Sequence, residues 1–241
     1  MASGETEQHK NLKRLAALWA SGQGYTCCGY EIALPHSGFR ADVAAYKPAY
    51  ESGTISFEGK SLRRRQPVIG TTAIFECKQC RADLLKDSCN TAKTRAKLKH
   101  LHDRRMVLER LLRVHFPSAT NGDSLFQDFQ TLNAEAINHP GYQKVLKNIA
   151  THQAGLFERT KFEKLIRYQC VNLCYLVTVE HIITDYELPL NWGLLVQRGD
   201  SLEVVSKPVW QDSPEGSRLA ILQRIALAAT RQISAINPPE L

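Results

Sequence analysis

The segment at residues 71–79, with an apolar run at its centre, is the sequence feature that most restricts how this chain can fold. Its run Ala73-Ile74-Phe75 is apolar enough for a strand with neighbours on both sides, and Glu76-Cys77-Lys78 follows at once. Successive side chains of a strand point to opposite faces, so Glu76 and Lys78 are expected on one face and Phe75 and Cys77 on the other. The segment therefore predicts a central strand that presents a carboxylate and an ammonium together.

The rest of the chain alternates between helical and strand patterns. Helical spacing of apolar residues predicts helices at 6–20, 82–112, 124–137, 142–168 and 217–236. Strand patterns occur at 27–34, 40–46, 171–179, 189–196 and 202–205. Residues 47–70 carry prolines, glycines and charges, which predicts a long irregular connection or a ragged hairpin. This order predicts one α/β domain over residues 1–241, with helices around a central mixed sheet and a helical insertion at about 88–160.

The composition is that of a soluble globular protein, with 43% hydrophobic and 23% charged residues. No apolar stretch is long enough to cross a bilayer, and residues 1–13 lack the apolar core of a signal peptide. The seven cysteines are an odd number at irregular positions, which favours free thiols over a disulfide framework. We therefore expect a cytoplasmic protein without a membrane partner.

Positive charge is concentrated in two segments, and the formal net charge of +7 fits an anionic partner. Residues 60–65 are expected in a loop before the central strand, and residues 91–115 in a helix. Either segment can hold a phosphate backbone without reading its sequence, or can simply be solvated surface. The candidate nucleic-acid-binding residues are Lys60, Arg63, Arg64 and Arg65 in the loop, and Lys93, Lys97 and Arg104 in the helix.

Asp42, Glu76 and Lys78 form the candidate catalytic site. Asp42 lies on what the pattern predicts as the neighbouring strand. Two carboxylates suit a hard divalent cation, Mg²⁺ with Mn²⁺ as the alternative, and such an ion activates water for phosphodiester cleavage. Lys78 would orient that water or assist its deprotonation. The alternative is an ordinary surface salt bridge between Glu76 and Lys78, with Asp42 an unrelated turn residue.

These motifs and their order resemble the PD-(D/E)XK nuclease superfamily, in which a helix precedes a hairpin and a Glu-x-Lys strand. Within it, the chain is most similar to bacterial MmcB-like nucleases associated with DNA repair. The resemblance covers roughly residues 5–87 and 161–208. The motifs that carry it are Arg40-Ala41-Asp42-Val43, Glu76-Cys77-Lys78, Arg81-Ala82-Asp83-Leu84-Leu85-Lys86-Asp87, Asn172-Leu173-Cys174-Tyr175-Leu176-Val177 and Leu188-Pro189-Leu190-Asn191-Trp192-Gly193-Leu194-Leu195.

The resemblance implies a restriction-endonuclease-like α/β sandwich and a Mg²⁺-dependent nuclease, with Asp42 and Glu76 as metal ligands and Lys78 as the catalytic lysine. In the superfamily the first helix often offers another acidic ligand, and Glu7 is the matching position here. Two features depart from the family pattern. Ala41 stands where the superfamily has its proline, and the insertion at about 88–160 is unusual in size.

Two other groups of residues have open alternative interpretations. Cys77 and Cys80 could meet Cys170 and Cys174 as a structural zinc site, whereas a cysteine on a central strand is ordinary core packing. Trp192 could stack on a nucleic-acid base or pack in the core of the domain.

Three functional hypotheses follow from the sequence. The first is a metal-dependent endonuclease acting on DNA in repair, restriction or defence, with RNA as an alternative substrate. The second is a non-catalytic nucleic-acid-binding module on the same fold, which would be free to lose one of the three motif residues. The third is a protein–protein scaffold that docks through its insertion and does not retain DNA at low salt. The oligomeric state is open, and a homodimer is compatible with the sequence.

Overall fold

The computed structural model describes residues 5–57, 60–86, 92–115, 120–121, 131–132, 139–158, 160–184 and 187–236. Its main sheet is built from β1 (Cys27–Ala33), β2 (Arg40–Phe57), β3 (Lys60–Lys78), β6 (Leu173–Thr178), β7 (Gly193–Arg198) and β8 (Ser201–Ser206). A separate strand pair consists of β4 (Thr120–Asn121) and β5 (Thr131–Leu132). The helices are α1 (Glu7–Gly22), α2 (Arg81–Lys86), α3 (Ala92–His115), α4 (Pro140–Leu156), α5 (Lys161–Arg167) and α6 (Glu215–Ile236).

The main sheet has the order β1-β2-β3-β6-β7-β8. Its first three strands are antiparallel neighbours, β3, β6 and β7 run parallel to one another, and β8 returns antiparallel to β7. The sheet is therefore mixed, and β3 has partners on both sides. Since helices pack on both of its faces, the predicted α/β class is confirmed.

The alternation of side chains along β3 divides the core into two layers. Phe75 and Cys77 belong to the layer that packs against α1. Ile74 belongs to the opposite layer, which contains residues of α5 and α6, such as Phe162 and Ile221. Because Glu76 alternates with Phe75 and Cys77, its side chain lies on the face covered by α5.

The hairpin of β2 and β3 is much longer than the sequence pattern indicated. Residues 47–70, expected as an irregular connection or ragged hairpin, extend both strands up to the pair Phe57 and Lys60. The register shifts between Lys47 and Ala49, beside a proline that has no N–H to pair. Opposite this bulge, any side chain at Gly70 would collide with the carbonyl of Lys47. A proline and a glycine in a strand therefore mark a bulge here, not a loop.

The insertion is helical in its main elements, α3 and α4, which pack against each other. The helix expected at 124–137 is wrong at residues 131–132, because these pair as a short strand with residues 120–121; the rest of that range lies outside the described residues. The helix expected at 142–168 is split into α4 and α5. No helix in the described part of the chain is both long and apolar enough to cross a membrane.

Candidate active site

Asp42 lies where the pairing between β2 and β3 ends. The last paired residues are Val43 and Phe75. Beyond them, Oδ2 of Asp42 accepts a hydrogen bond from the backbone N–H of Cys77 at 2.7 Å. The side chain thus satisfies a backbone donor of β3, and this charge-assisted bond fixes the carboxylate beside the end of that strand.

Glu76 is buried, with only 2% of its surface exposed. Burial disfavours the charged form and raises the pKa of Glu76 to about 7; Lys161 opposes this shift, and the negative charge of Asp42 adds to it. The carboxyl group is therefore close to its midpoint of titration near neutral pH. A cation placed beside it would favour the carboxylate.

Lys78 follows Glu76 on the same face of β3, and 11% of its side chain is exposed. Its ammonium lies 3.9 Å from Oδ2 of Asp83, a residue of α2. The lysine therefore ends the central strand with its charged group close to the first residues of the next helix. Together with Asp42, the end of β3 brings two carboxylates and one ammonium into one region.

Lys161 is a site residue that the sequence did not reveal. It is the first residue of α5, and its Nζ lies 2.6 Å from Oε1 of Glu76. The same ammonium donates a hydrogen bond to the backbone carbonyl of Arg40, two residues before Asp42. No motif marks Lys161 because it is remote in sequence from the Glu-x-Lys strand and meets it only through the packing of α5 on the sheet.

Helix α1 reaches the site through His9 and not through Glu7. Nε2 of His9 lies 3.6 Å from Oδ1 of Asp42 and 3.4 Å from Oε1 of Glu5. The Glu7 side chain is 90% exposed and pairs with Lys10 at 2.7 Å. Residues two positions apart on a helix do not face the same direction, so Glu7 points away when His9 faces Asp42. This placement corrects the prediction that Glu7 completes the metal site.

An ion pair between Arg81 and Glu187 supports the end of β3 from the other side; Glu187 is buried, whereas 43% of the Arg81 side chain is exposed. Arg81, three residues after Lys78, makes two hydrogen bonds of 2.6 and 3.0 Å to the carboxylate of Glu187. Burial acts to raise the pKa of Glu187, but the hydrogen bonds from Arg81 and Thr184 and the charge of Arg81 together outweigh it, so the pKa lies below its ordinary value. Arg95 of α3 is 3.5 Å from the same carboxylate. This pair therefore connects the start of the basic helix α3 to the segment that follows Lys78.

The predicted basic residues occupy two separate surfaces. On α3, Lys93, Lys97 and Arg104 are exposed at helical spacing on one face, and this stripe is about 16 Å long. Arg64 and Arg65 are also exposed, but they lie within β3 and not in a loop, because that segment pairs with β2. The guanidinium of Arg65 lies 5.4 Å from the centre of the Tyr50 ring. The side chains of Lys60 and Arg63 lie outside the described part of the structure.

A third basic surface, which we call the arginine cleft, lies between β1 and α6. Arg40, Arg224 and Arg231 line this cleft of about 280 Å³ together with Glu31. Arg224 donates to the carbonyl of Ala33 at 2.8 Å, which fixes it against the sheet edge. Because the carbonyl of Arg40 also accepts from Lys161, the cleft adjoins the acidic site.

The carboxylate that lines the arginine cleft is largely neutralised. Oε1 of Glu31 lies 2.5 Å from Nζ of Lys13, and its other oxygen lies 3.9 Å from Arg40. The charge that this cleft offers to a ligand is therefore positive. The sequence did not indicate it, because its arginines come from both ends of the chain.

Cys77, Cys170, Cys174 and Trp192 are buried in the core, whereas Cys80 is exposed. Cys77 packs in the layer next to α1, whereas Cys170 and Cys174 lie in the opposite layer. Burial raises the pKa of the Cys77 thiol, which disfavours the thiolate that zinc requires. Trp192 is buried, its indole N–H donates to the carbonyl of Phe162 at 3.2 Å, and the two rings meet edge to face. The core interpretation therefore holds for both cysteine layers and for the tryptophan.

Asp42 and Glu76 are the residues that suit a divalent cation at this site. Oε1 of Glu76 is buried, and the Lys161 ammonium, 2.6 Å away, is its polar partner. No cluster of three or more His, Cys, Asp or Glu side chains with a metal-binding arrangement occurs in the described ranges. Mg²⁺ usually keeps several waters and needs only one or two carboxylates, whereas structural zinc needs four protein ligands. The donor set fits Mg²⁺.

Comparison with known proteins assigns no family. No protein-family model matches this sequence, and neither does any curated protein. Among solved structures, a protein of unknown function from Silicibacter pomeroyi is similar over 98% of this chain and 94% of its own, with 16% sequence identity and a TM-score of 0.49. A likeness at this level, to a protein without a known function, carries no argument about what the chain does.

Proposed function

We propose that this protein is a divalent-metal-dependent nuclease of the PD-(D/E)XK type that hydrolyses phosphodiester bonds of DNA. One observation carries the proposal: Asp42, Glu76 and Lys78 lie together at the end of β3. A buried carboxyl whose pKa is raised to about 7, beside a second carboxylate and a lysine, is the kind of group that functional sites contain. Because these residues lie on or beside strands of the sheet, their positions are fixed before a ligand binds, which favours a preorganised site.

In this mechanism the protein residues bind the cation and position the nucleophile. Asp42 and Glu76 would hold Mg²⁺, and Mn²⁺ would be the alternative ion. When bound, the cation would acidify a water and stabilise the charge that develops on the phosphate. Lys78 would orient that water or take its proton once neutral. The oxygen of the water bonds to phosphorus, the bond from phosphorus to the leaving oxygen breaks, and that oxygen takes up a proton.

Three basic surfaces support a nucleic-acid substrate. The stripe on α3, the arginines of β3 and the arginine cleft all offer charges that bind a phosphate backbone without reading its sequence. Through its contact with Glu187, Arg95 connects the stripe on α3 to the end of β3. Arg40 connects the arginine cleft to the acidic site. We favour DNA in a cytoplasmic repair or defence reaction, with RNA as the alternative substrate.

The direct experiment compares labelled single-stranded, duplex, flap and branched DNA, and RNA, in Mg²⁺ and in Mn²⁺. Cleavage by the wild type and its loss in Asp42→Asn and Lys78→Met are expected. A matched control is Asp200→Asn, an exposed carboxylate in the turn between β7 and β8. Cleavage that persists in both site variants would show that another site or a contaminant is responsible.

A non-catalytic nucleic-acid-binding module is the second candidate. The observation that favours it is the Lys161 ammonium, which already neutralises Glu76. Salt-sensitive binding of DNA by wild-type protein, without cleavage of any substrate in either metal ion, would select this candidate. Binding without a salt dependence would fit neither candidate, because phosphate contacts release counterions.

A further inference from the structure

The ammonium of Lys161 lies against a carboxylate oxygen of Glu76 that would serve a bound metal ion. Its Nζ is 2.6 Å from Oε1 of Glu76, and it also bonds to the carbonyl oxygen of Arg40. A carboxylate and a backbone carbonyl are both ligands that hard divalent cations accept. The lysine thus already has the oxygen partners that such an ion would use.

The position of this ammonium is fixed by the packing of α5. Phe162 and Leu165 of this helix are buried in the core. The Phe162 ring meets Trp192 edge to face at 4.9 Å, and its carbonyl accepts the Trp192 indole N–H. The first residue of α5 is therefore held against the sheet by its neighbours, and its charge is directed to Glu76.

We propose that Lys161 is a built-in cation that keeps Glu76 neutralised without metal and must leave it when a divalent cation binds. This inference rests on the proposed metal-dependent function. Two cations at the same carboxylate oxygen repel each other at short range. The favourable free energy of metal binding to the two carboxylates is then reduced by the free energy needed to move Lys161, so the apparent affinity for metal is lower.

The fold provides space for this movement. A cavity of about 160 Å³ lies beside α5, and Phe162 and Ile166 of that helix line it together with Phe157 and the segment 189–191. Lys161 does not line this cavity, but close packing normally resists displacement, so a cavity beside the helix makes a shift of α5 less costly.

Binding of Mn²⁺, measured from the electron paramagnetic resonance signal of the free ion, tests the inference without any activity. Lys161→Gln should lower the Kd for Mn²⁺ by about tenfold or more, equivalent to about 1.4 kcal/mol. Lys161→Arg keeps the charge and should bind Mn²⁺ as weakly as the wild type. Lys164→Gln is the matched control, because Lys164 is on the same helix but faces the ring of Phe39 at 5.7 Å.

The outcomes separate the inference from the proposed function. Equal or weaker Mn²⁺ binding in Lys161→Gln, with clear binding by the wild type, would overturn the inference and leave the metal site standing. No binding by any variant would overturn both.

A second measurement uses the wild type alone, in case Lys161→Gln does not fold. The NMR resonance of the Lys161 side-chain CεH₂ group should shift when Mg²⁺ is added, since its ammonium loses its contact with Glu76. An unchanged Lys161 resonance at saturating Mg²⁺ would overturn the inference.

Discussion

The buried Glu76 carboxyl makes the stability of the metal-free protein depend on pH. Its pKa is raised from 4.5 in a free side chain to about 7 in the folded protein. Between these values the folded state binds more protons than the unfolded state, so the free energy of unfolding falls as the pH rises. The stabilising contribution is fully present below the unfolded pKa and is lost as the pH rises through the folded value.

The magnitude follows from the two pKa values. A shift of one unit corresponds to about 1.36 kcal/mol, so this shift is worth about 3 kcal/mol over the full range. Between about pH 5 and pH 8, roughly 2–3 kcal/mol of it is expected to disappear. That is a large part of the stability of a typical domain, which is about 5–15 kcal/mol.

Urea unfolding in a chelator measures this contribution when the wild type is compared with Glu76→Gln. The glutamine cannot ionise, so the difference in free energy of unfolding between the two proteins should change by about 2–3 kcal/mol from pH 5 to pH 8, in favour of the variant at high pH. Glu7→Gln is the matched control, because Glu7 is exposed and its removal should leave the pH dependence unchanged. A difference between wild type and Glu76→Gln that is constant with pH would refute the reasoning.

Three further predictions concern other parts of the molecule. Arg81→Ala removes two of the hydrogen bonds that the Glu187 carboxylate accepts and leaves the one from Thr184, so urea unfolding should show a loss of about 1–3 kcal/mol, and a loss below about 0.5 kcal/mol would contradict the role of this pair. Gly70→Ala introduces a methyl group against the facing β2 carbonyl and should cost about 1–3 kcal/mol in the same assay, whereas an unchanged midpoint would contradict the close approach. Arg224→Gln combined with Arg231→Gln should make the negative slope of log K, the association constant for duplex DNA, against log salt less steep by about 1.8. An unchanged slope would exclude the arginine cleft as a phosphate-binding surface.

The order of elements and the central position of β3 could be predicted because both depend on local patterns. The alternation at 71–79 requires a strand, and its apolar character requires neighbours on both sides. The same local information placed Cys77 in the core. It failed at 47–70, where Pro48 and Gly70 looked like loop residues but form a bulge within a long hairpin.

The part of the site that could not be predicted depends on tertiary packing. The positions of Asp42, Glu76 and Lys78 could be predicted from two adjacent strands. Lys161 is brought to the site by the packing of α5 on the sheet. Glu7 was selected by its position in a family motif, but the rotation of α1 on the sheet turns His9 towards Asp42. A single sequence contains no direct information on how a helix is rotated or where an insertion returns to the sheet.

The central claim is that Asp42, Glu76 and Lys78 form a metal-dependent nuclease centre. The rate of DNA cleavage in saturating Mg²⁺ under single-turnover conditions tests it most directly, with Glu76→Gln compared with Glu7→Gln. A loss of at least about a hundredfold in Glu76→Gln, with the wild-type rate retained in Glu7→Gln, is predicted. Equal rates in the two variants, or a loss confined to Glu7→Gln, would contradict the claim.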